Sequence, residues 1–339
     1  MAINVAIVGC GLIGKKRAAQ IKKDPSARLL YAVDIHEEPR TFFQSNYGCN
    51  VLSNWEELIQ VKEVDVIIIS TPNHLSMPIA KEALRAKKHI LLEKPFGKNG
   101  EESRSILESA HQAETFLAIK AGFNHRFHPA LLQAKSLVEK GIIGDLFSIR
   151  ARYGHGGRPG MEQEWRANKE LCGGGELLDQ GIHLIDLIQW FGGEWKEVCG
   201  LLDTSFWPMQ VEDNAYVIGK MASGIHTMFH VSWTQWKNLF SFELFGSKGA
   251  LHVHGLGGSY GPETLEIILK NPQGGAPKTT TLSFPEEDIS WNLEWNEFKQ
   301  ALLEERQPLG NGADGLAANL VVEAIIRSQI EKKMVSVYE

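Results

Sequence analysis

Five short, unbroken apolar runs occupy the first 122 residues: "NVAIVG", "RLLYAVD", "VDVIIIS", "HILLEKP" and "TFLAIKAG". Strands without polar alternation are buried on both faces, which requires helices above and below the sheet. The intervening segments, among them "SMPIAKEALRAKK" and "GEESRSILESAHQAE", carry that helical, amphipathic pattern. Strand-helix alternation of this kind predicts a doubly wound parallel sheet for a first domain of residues 1–122.

From residue 123 the pattern changes. One helix, "PALLQAKSLVEKG", leads into longer strands of alternating character, the clearest being "FSFELFGSKGALHVHG", two period-two strands around a turn. "GIHTMFHVSWTQW" and "TLEIILKN" belong with them, and helices near 287–305 and 312–332 complete the chain. The fold class is α/β, with residues 123–339 forming a second, α+β domain around a large, open, mostly antiparallel sheet. At 339 residues the chain exceeds what one core usually supports. A sheet covered by helices on one face needs a cover for the other, so a homodimer or homotetramer through this sheet is expected.

A formal charge of −6 lacks the basic field of a nucleic-acid-binding protein. No stretch reaches the ~20 apolar residues that cross a bilayer. "NVAIVGCGLIG" is short, broken by glycine and without a basic lead, unlike a signal peptide. Cys10, Cys49, Cys172 and Cys199 lie far apart and read as reduced thiols. These features predict a cytoplasmic protein with a small-molecule substrate.

Gly9, Gly11 and Gly14 form G-x-G-x-x-G between the first strand and a helix, with Leu12 and Ile13 inside the motif. The first glycine permits a tight turn, the second admits a pyrophosphate, and the third lets helix and strand close together. The helix start adds free N–H groups and a positive dipole. Asp34 ends the second strand, twenty residues past Gly14. Its carboxylate suits a ribose 2′-OH and repels a 2′-phosphate, and no arginine follows at once, so NAD is expected over NADP. Ligands of such sheets lie at strand carboxyl ends. That rim brings in Ser70, Thr71, Pro72, Asn73 and His74 after one strand, and Glu93 and Lys94 after another.

"CGGGELLDQGIHLIDLIQWFGG" (172–193) enters a helix through three glycines that let a ligand approach. Leucine and isoleucine cover most of its wheel; Asp179, His183 and Asp186 share the remaining stripe, with Asp179 and His183 neighbours four apart. A lysine titrates near ~10.4 and a histidine near ~6.5, so the histidine suits proton transfer near neutrality. His252 and His254 alternate onto one strand face, and His125, His128 and Cys172 are also present. None has zinc-site spacing, and no metal is expected in the reaction.

Together, G-x-G-x-x-G at 9–14, "TPN" at 71–73, "EKP" at 93–95, "GFNHRF" at 122–127 and "GGGELLDQGIH" at 173–183 resemble the Gfo/Idh/MocA oxidoreductases across the whole chain. The resemblance implies NAD(P)-dependent hydride transfer with a sugar, sugar nucleotide, inositol or similar polyol. It further implies Lys94, Asp179 and His183 as catalytic residues. On this reading His183 transfers the proton, Lys94 stabilises charge on the reacting oxygen, and Asp179 anchors or orients; the reverse assignment of Lys94 and His183 stays open. Asn124, Arg126, Tyr153, Trp165 and Arg166 are further substrate-contact candidates, with a structural salt bridge the alternative for Arg126. Two other functions stay open: an enzyme that retains NAD and cleaves or transfers a glycosidic group by transient oxidation, and a non-catalytic dinucleotide sensor.

Overall fold

Six strands, β1 (Ile3–Val8), β2 (Ala27–Val33), β3 (Asn50–Leu52), β4 (Val66–Ile69), β5 (His89–Leu92) and β6 (Ile119–Ala121), pair in parallel in the order β3-β2-β1-β4-β5-β6. Helices α1 (Leu12–Lys23), α2 (Glu37–Tyr47), α3 (Trp55–Ile59), α4 (Asn73–Arg85) and α5 (Gly100–His111) join them. The computed structural model describes residues 2–284 and 287–338. Val5–Val8 and Val66–Ile69 are buried throughout, which is why these strands show no polar alternation. The strand order reverses between β1 and β4, the switch point at whose strand carboxyl ends such sheets bind their ligands. The sheet is the doubly wound one that the apolar runs predict, plus the three-residue β3, which carries too few residues to show a pattern.

The rest of the chain supplies α6 (Pro129–Glu139), β7 (Leu146–Gly154), α7 (Lys169–Cys172), α8 (Ile182–Gly192), β8 (Trp195–Asp203), β9 (Asn214–Met221) and β10 (His226–Ser232). There follow β11 (Leu239–Gly246), β12 (Gly249–His254), β13 (Thr264–Leu269), β14 (Lys278–Ser283), α9 (Ser290–Leu303), α10 (Gly312–Glu331) and β15 (Val335–Ser336). Nine strands stand in the order β14-β13-β12-β11-β7-β10-β9-β8-β15. Only β7 and β10 pair in parallel among them. On β7, Ile149, Ala151 and Tyr153 face inward while Arg150 and Arg152 face out.

Two compact units result. One runs to Phe123 and takes in Trp291–Asn319; the other holds Asn124–Ser290 and the chain from Leu320 onward. Sequence patterning leaves residues 291–319 with the second domain, whereas they fold with the first sheet. Trp295 and Phe298 join Val5, Ile7 and Val66 in one buried cluster. The Trp295 indole N–H donates to Asp24 at 2.8 Å, and Lys299 Nζ to the same oxygen at 2.7 Å. Buried Arg17 bonds Glu294, whose other oxygen meets Lys120 at 2.9 Å. Burial works against both Arg17 and Glu294 as ions, yet each keeps the other charged: the arginine is raised and the glutamate lowered. A polar cluster of this kind gives no periodic sequence signal.

Candidate functional site

In the first unit, backbone builds the site. Gly9 takes φ +96°, and a Cβ there would lie 2.5 Å from the Ser70 carbonyl oxygen. A Cβ on Gly14 would lie 2.1 Å from the Gly9 carbonyl. A Cβ on Gly11, by contrast, meets nothing within 4 Å. Two of the glycines therefore let chain pass chain, and the middle one leaves an open approach at the N-cap of α1. Leu12 is exposed and Ile13 half-buried beside that opening.

The loop is tied to the end of β2. Gly9 N–H donates to the Val33 carbonyl at 2.8 Å and Cys10 N–H to Asp34 Oδ2 at 2.8 Å. The other Asp34 oxygen accepts from His36 N–H at 3.0 Å. Asp34 thus holds the glycine turn in shape, and each oxygen keeps a second lone pair for a ribose hydroxyl. Arg40 reaches back to the Asp34 and Ile35 carbonyls at 2.7 and 3.0 Å, a proximity that six residues of separation concealed. Burial, then the Asp34 charge, push the Cys10 thiol up to about 12, so it stays protonated inside the loop.

The neighbouring strand ends complete the rim. Ser70 Oγ donates to the Gly9 carbonyl at 2.7 Å, so Ser70 supports the loop. Pro72 caps α4, which starts at Asn73. Among the described residues, Thr71 Oγ1 and His74 Nδ1 are buried without a hydrogen-bond partner. Buried polar atoms of that sort are costly unless a ligand satisfies them. An open glycine at a helix start and two polar atoms awaiting partners fit a dinucleotide.

Glu93 is expected beside the cofactor, yet its Oε1 turns to Arg17, accepting from Nε at 2.8 Å and Nη2 at 2.6 Å. Through that pair it anchors the strand exit. Lys94, half-buried, follows with a cis peptide to Pro95. The loop beyond is pinned: Phe96 is buried, the Gly97 carbonyl accepts from Asn319 Nδ2 at 2.7 Å, and Asn99 caps α5 through Glu102 N–H at 2.8 Å. A backbone held on both sides gives Lys94 a fixed origin.

In the second unit, side chains build the site. Leu177–Gly181 form a π-helical turn that runs into α8. The wheel drawn for a regular helix therefore drifts here and shifts Asp179 relative to His183 and Asp186, which both lie within α8. Asp186 is buried and paired with Arg126 at 2.8 and 2.6 Å. That bidentate geometry is the structural salt bridge, and it occupies two of the nitrogens expected to meet substrate. Asp179 stays partly exposed, its Oδ2 3.7 Å from Arg166 Nε. Arg166 also lies 4.5 Å over the Trp165 ring, so these two expected residues and Asp179 do come together.

His183 is buried against His125, rings 3.8 Å apart and nearly parallel at 24°. Tyr153 is set edge-on 6.3 Å from His183 and 5.3 Å from Tyr260, and the Tyr260 hydroxyl accepts from Gln180 Nε2 at 3.0 Å. Burial first, and then Tyr260, hold the Tyr153 phenol well above its usual range; burial raises Tyr260 as well. Both phenols stay neutral. Tyr260 and Gln180 are missed by sequence reading, because no spacing links 153, 180 and 260. Asn124 is buried and donates to Ser290 Oγ at 3.0 Å.

The three glycines before this helix serve the chain itself. Gly173 ends α7 at φ +88°, and a Cβ on Gly175 would strike the Glu212 carbonyl at 2.0 Å. The Glu212 carboxylate accepts from Gly175 and Leu177 N–H at 3.1 and 3.2 Å, capping the helical start. The close approach expected of a ligand is made by this neighbouring backbone.

A doubly wound sheet whose open glycine turn is tied to the acid at the end of the second strand defines a dinucleotide-binding fold. The chain belongs to the Gfo/Idh/MocA family. Residues 3–120 match the oxidoreductase family model described as an NAD-binding Rossmann fold, and residues 131–252 match the GFO/IDH/MocA C-terminal domain. NAD is the cofactor of this fold. Levoglucosan dehydrogenase of Pseudarthrobacter phenanthrenivorans is 31% identical over 60% of this chain and 54% of its own length. Inositol 2-dehydrogenase of Rhizobium meliloti is 24% identical over 99% of this chain and 100% of its own. The solved structure of a levoglucosan dehydrogenase in complex with NADH superposes with a TM-score of 0.92 at 24% identity, over 100% of both chains, so the fold is shared.

Proposed function

We propose that this protein is an NAD-dependent dehydrogenase that oxidises a secondary hydroxyl of a sugar, sugar nucleotide or cyclic polyol, or reduces the corresponding ketone. The observation that carries the reading is a buried histidine, His183, among the polar and aromatic side chains His125, Tyr153 and Tyr260 of the second unit, in a chain whose first unit has an open glycine turn. Relatives named as levoglucosan and inositol dehydrogenases support the carbohydrate class.

NAD, when bound, accepts or returns the hydride. The remaining work falls to the protein. His183 takes the hydroxyl proton, a task that fits an imidazole near neutrality. Lys94 donates a hydrogen bond to the reacting oxygen and stabilises charge there. Asp179 anchors a substrate hydroxyl, with Arg166 held beside it over Trp165. Neutral Tyr153 offers its phenol as donor or acceptor to a further hydroxyl.

The test is NAD⁺ reduction, followed at the nicotinamide absorbance, against free sugars, inositols and UDP- and GDP-sugars. Net NADH formation with at least one compound is expected. Turnover without absorbance change sinks this reading in favour of the NAD-retaining glycosidase, and no turnover with any compound revives the sensor. The pH profiles of Lys94→Met and His183→Asn then assign the proton: near-normal turnover in the histidine variant transfers that role to Lys94.

A homodimer or homotetramer through the nine-stranded sheet belongs to the same proposal. Leu201, Tyr216, Ile218 and Met228 of β8–β10 are 50–69% exposed around a shallow groove. An apolar patch of this kind calls for a cover, and Ile218→Lys should shift the sedimentation coefficient toward monomer. Cytosolic residence is proposed from the dispersed cysteines. Among the described residues, no helix is long and apolar enough to cross a membrane.

A further inference from the structure

Register fixes what the outward face of the nine-stranded sheet presents. Along one row, Glu266 of β13 stands opposite His252 of β12, then Glu243, Arg150, Met228 and Ile218 on successive strands. Paired residues share a face, and β12 alternates Leu251 and Val253 inward with His252 and His254 outward. The face thus changes character, from apolar on β8–β10 to imidazole and carboxylate on β12–β13, with β11 and β7 lying between.

We propose that His252, His254 and Glu266 form a binding site for a borderline divalent cation of the zinc class, separate from the dehydrogenase chemistry. One donor atom from each side chain lies within 4.8 Å of the other two. His252 Nδ1 is 3.4 Å from Glu266 Oε2. That gap is long for an N–H···O hydrogen bond, which prefers about 2.7–3.2 Å. It is instead the separation of two donors on one tetrahedral cation with bonds of about 2.0–2.2 Å. His252 Nε2 is buried and, among the described residues, without a hydrogen-bond partner, so Nδ1, beside Glu266, is the nitrogen that can meet an ion. His254 is exposed, which leaves its ring room to close the remaining gap.

The neighbours set the ligand count. Glu243, next along the row, already bonds Arg150 at 2.6 Å and Ser241 Oγ at 3.3 Å, so it is committed elsewhere. Three protein donors and one water give the open, four-coordinate arrangement that zinc accepts. Two imidazoles favour zinc, nickel or copper over magnesium or calcium, which prefer oxygen. The i, i+2 spacing lacks the two-to-four-residue gap of zinc loops. A strand does with alternation what a loop does with length. The ion would clamp β12 to β13, one strand in from the β14 edge.

The experiment titrates the full-length, chelator-stripped protein with ZnCl₂ calorimetrically, and with CoCl₂ in the visible range. One equivalent bound, with a cobalt d–d band, is expected. The His252→Gln/His254→Gln double variant should lose that equivalent, and Glu266→Gln should weaken it by at least ~10-fold, the lower end of what even an outer-shell change costs a metal site. His254 is exposed, His252 is half-buried, and glutamine keeps a polar side chain at both, so the double variant should unfold close to the wild-type temperature without metal. Zinc should then raise Tm in the wild type alone. An equal isotherm in the double variant, or no binding to the wild type at about 100 μM zinc, overturns the proposal. Dehydrogenase turnover serves as the independent control: wild-type activity in the double variant is expected, and its loss would mean the face serves catalysis and would overturn the separation.

Discussion

The glycine loop of the first unit and the helical segment of the second do their work with different parts. The loop relies on backbone: N–H groups at the start of α1, glycines that let chain pass chain, and Asp34 holding the turn by Cys10 N–H. The segment around His183 relies on side chains gathered from far apart, His125, Tyr153, Gln180 and Tyr260. A backbone site needs particular residues at fixed spacing and tolerates almost any side chain elsewhere. A side-chain site sets few local rules and many distant ones. The first should be damaged by adding a methyl group, the second by removing a functional group.

The largest expected effect tests the second half of that contrast. His183→Asn should lower kcat by about 10²–10⁴-fold, the range for a lost general base, while NADH affinity from fluorescence titration stays within about twofold. If cofactor affinity falls as far as turnover, the division of labour is wrong. Next, Arg126→Ala should cost about 3–5 kcal/mol in urea unfolding, because it leaves Asp186 buried without its partner. The Arg126→Met/Asp186→Leu double variant should recover much of that loss.

Glycine variants probe the backbone half. Gly14→Ala should cost roughly 1–3 kcal/mol or more, since its methyl would meet the Gly9 carbonyl and the turn must shift. Gly11→Ala meets open space, so stability should change by less than about 1 kcal/mol. NADH affinity should fall about tenfold, the worth of one hydrogen bond of ordinary strength. Equal behaviour of the two variants would remove the distinction between packing and ligand approach.

The smallest effect is a pH slope. Burial raises the Glu212 carboxyl, although Gly175 and Leu177 N–H groups oppose the shift. The folded chain therefore holds this proton more tightly than the unfolded chain does. Its stabilising contribution is complete below the ordinary carboxylate range and is lost as pH rises through the raised value. Glu212→Gln lacks that slope, so its stability relative to wild type should improve between pH 4 and 7 in denaturant titrations.

What was legible follows from the same contrast. The parallel sheet, its glycine turn and Asp34 were readable because burial and backbone geometry leave regular marks on sequence. Strand β3 was not, at three residues. The π-turn at Leu177–Gly181 was hidden too, since one extra residue per turn leaves composition unchanged and only rotates the wheel. Nor did the wheel show that Asp186 pairs with Arg126, a partner 60 positions away. The pairing of Glu93 with Arg17, 76 positions away, was hidden in the same way. Pairings at such range carry no period that a single sequence displays.

Arg17 and Glu294 are joined across 277 positions of chain. Synthesis runs from the amino end at about 5–20 residues per second, so the acid follows the base out of the ribosome by roughly 14–55 s. Until then the first unit lacks both the acid that pairs with Arg17 and the two aromatic side chains, Trp295 and Phe298, that complete its buried cluster.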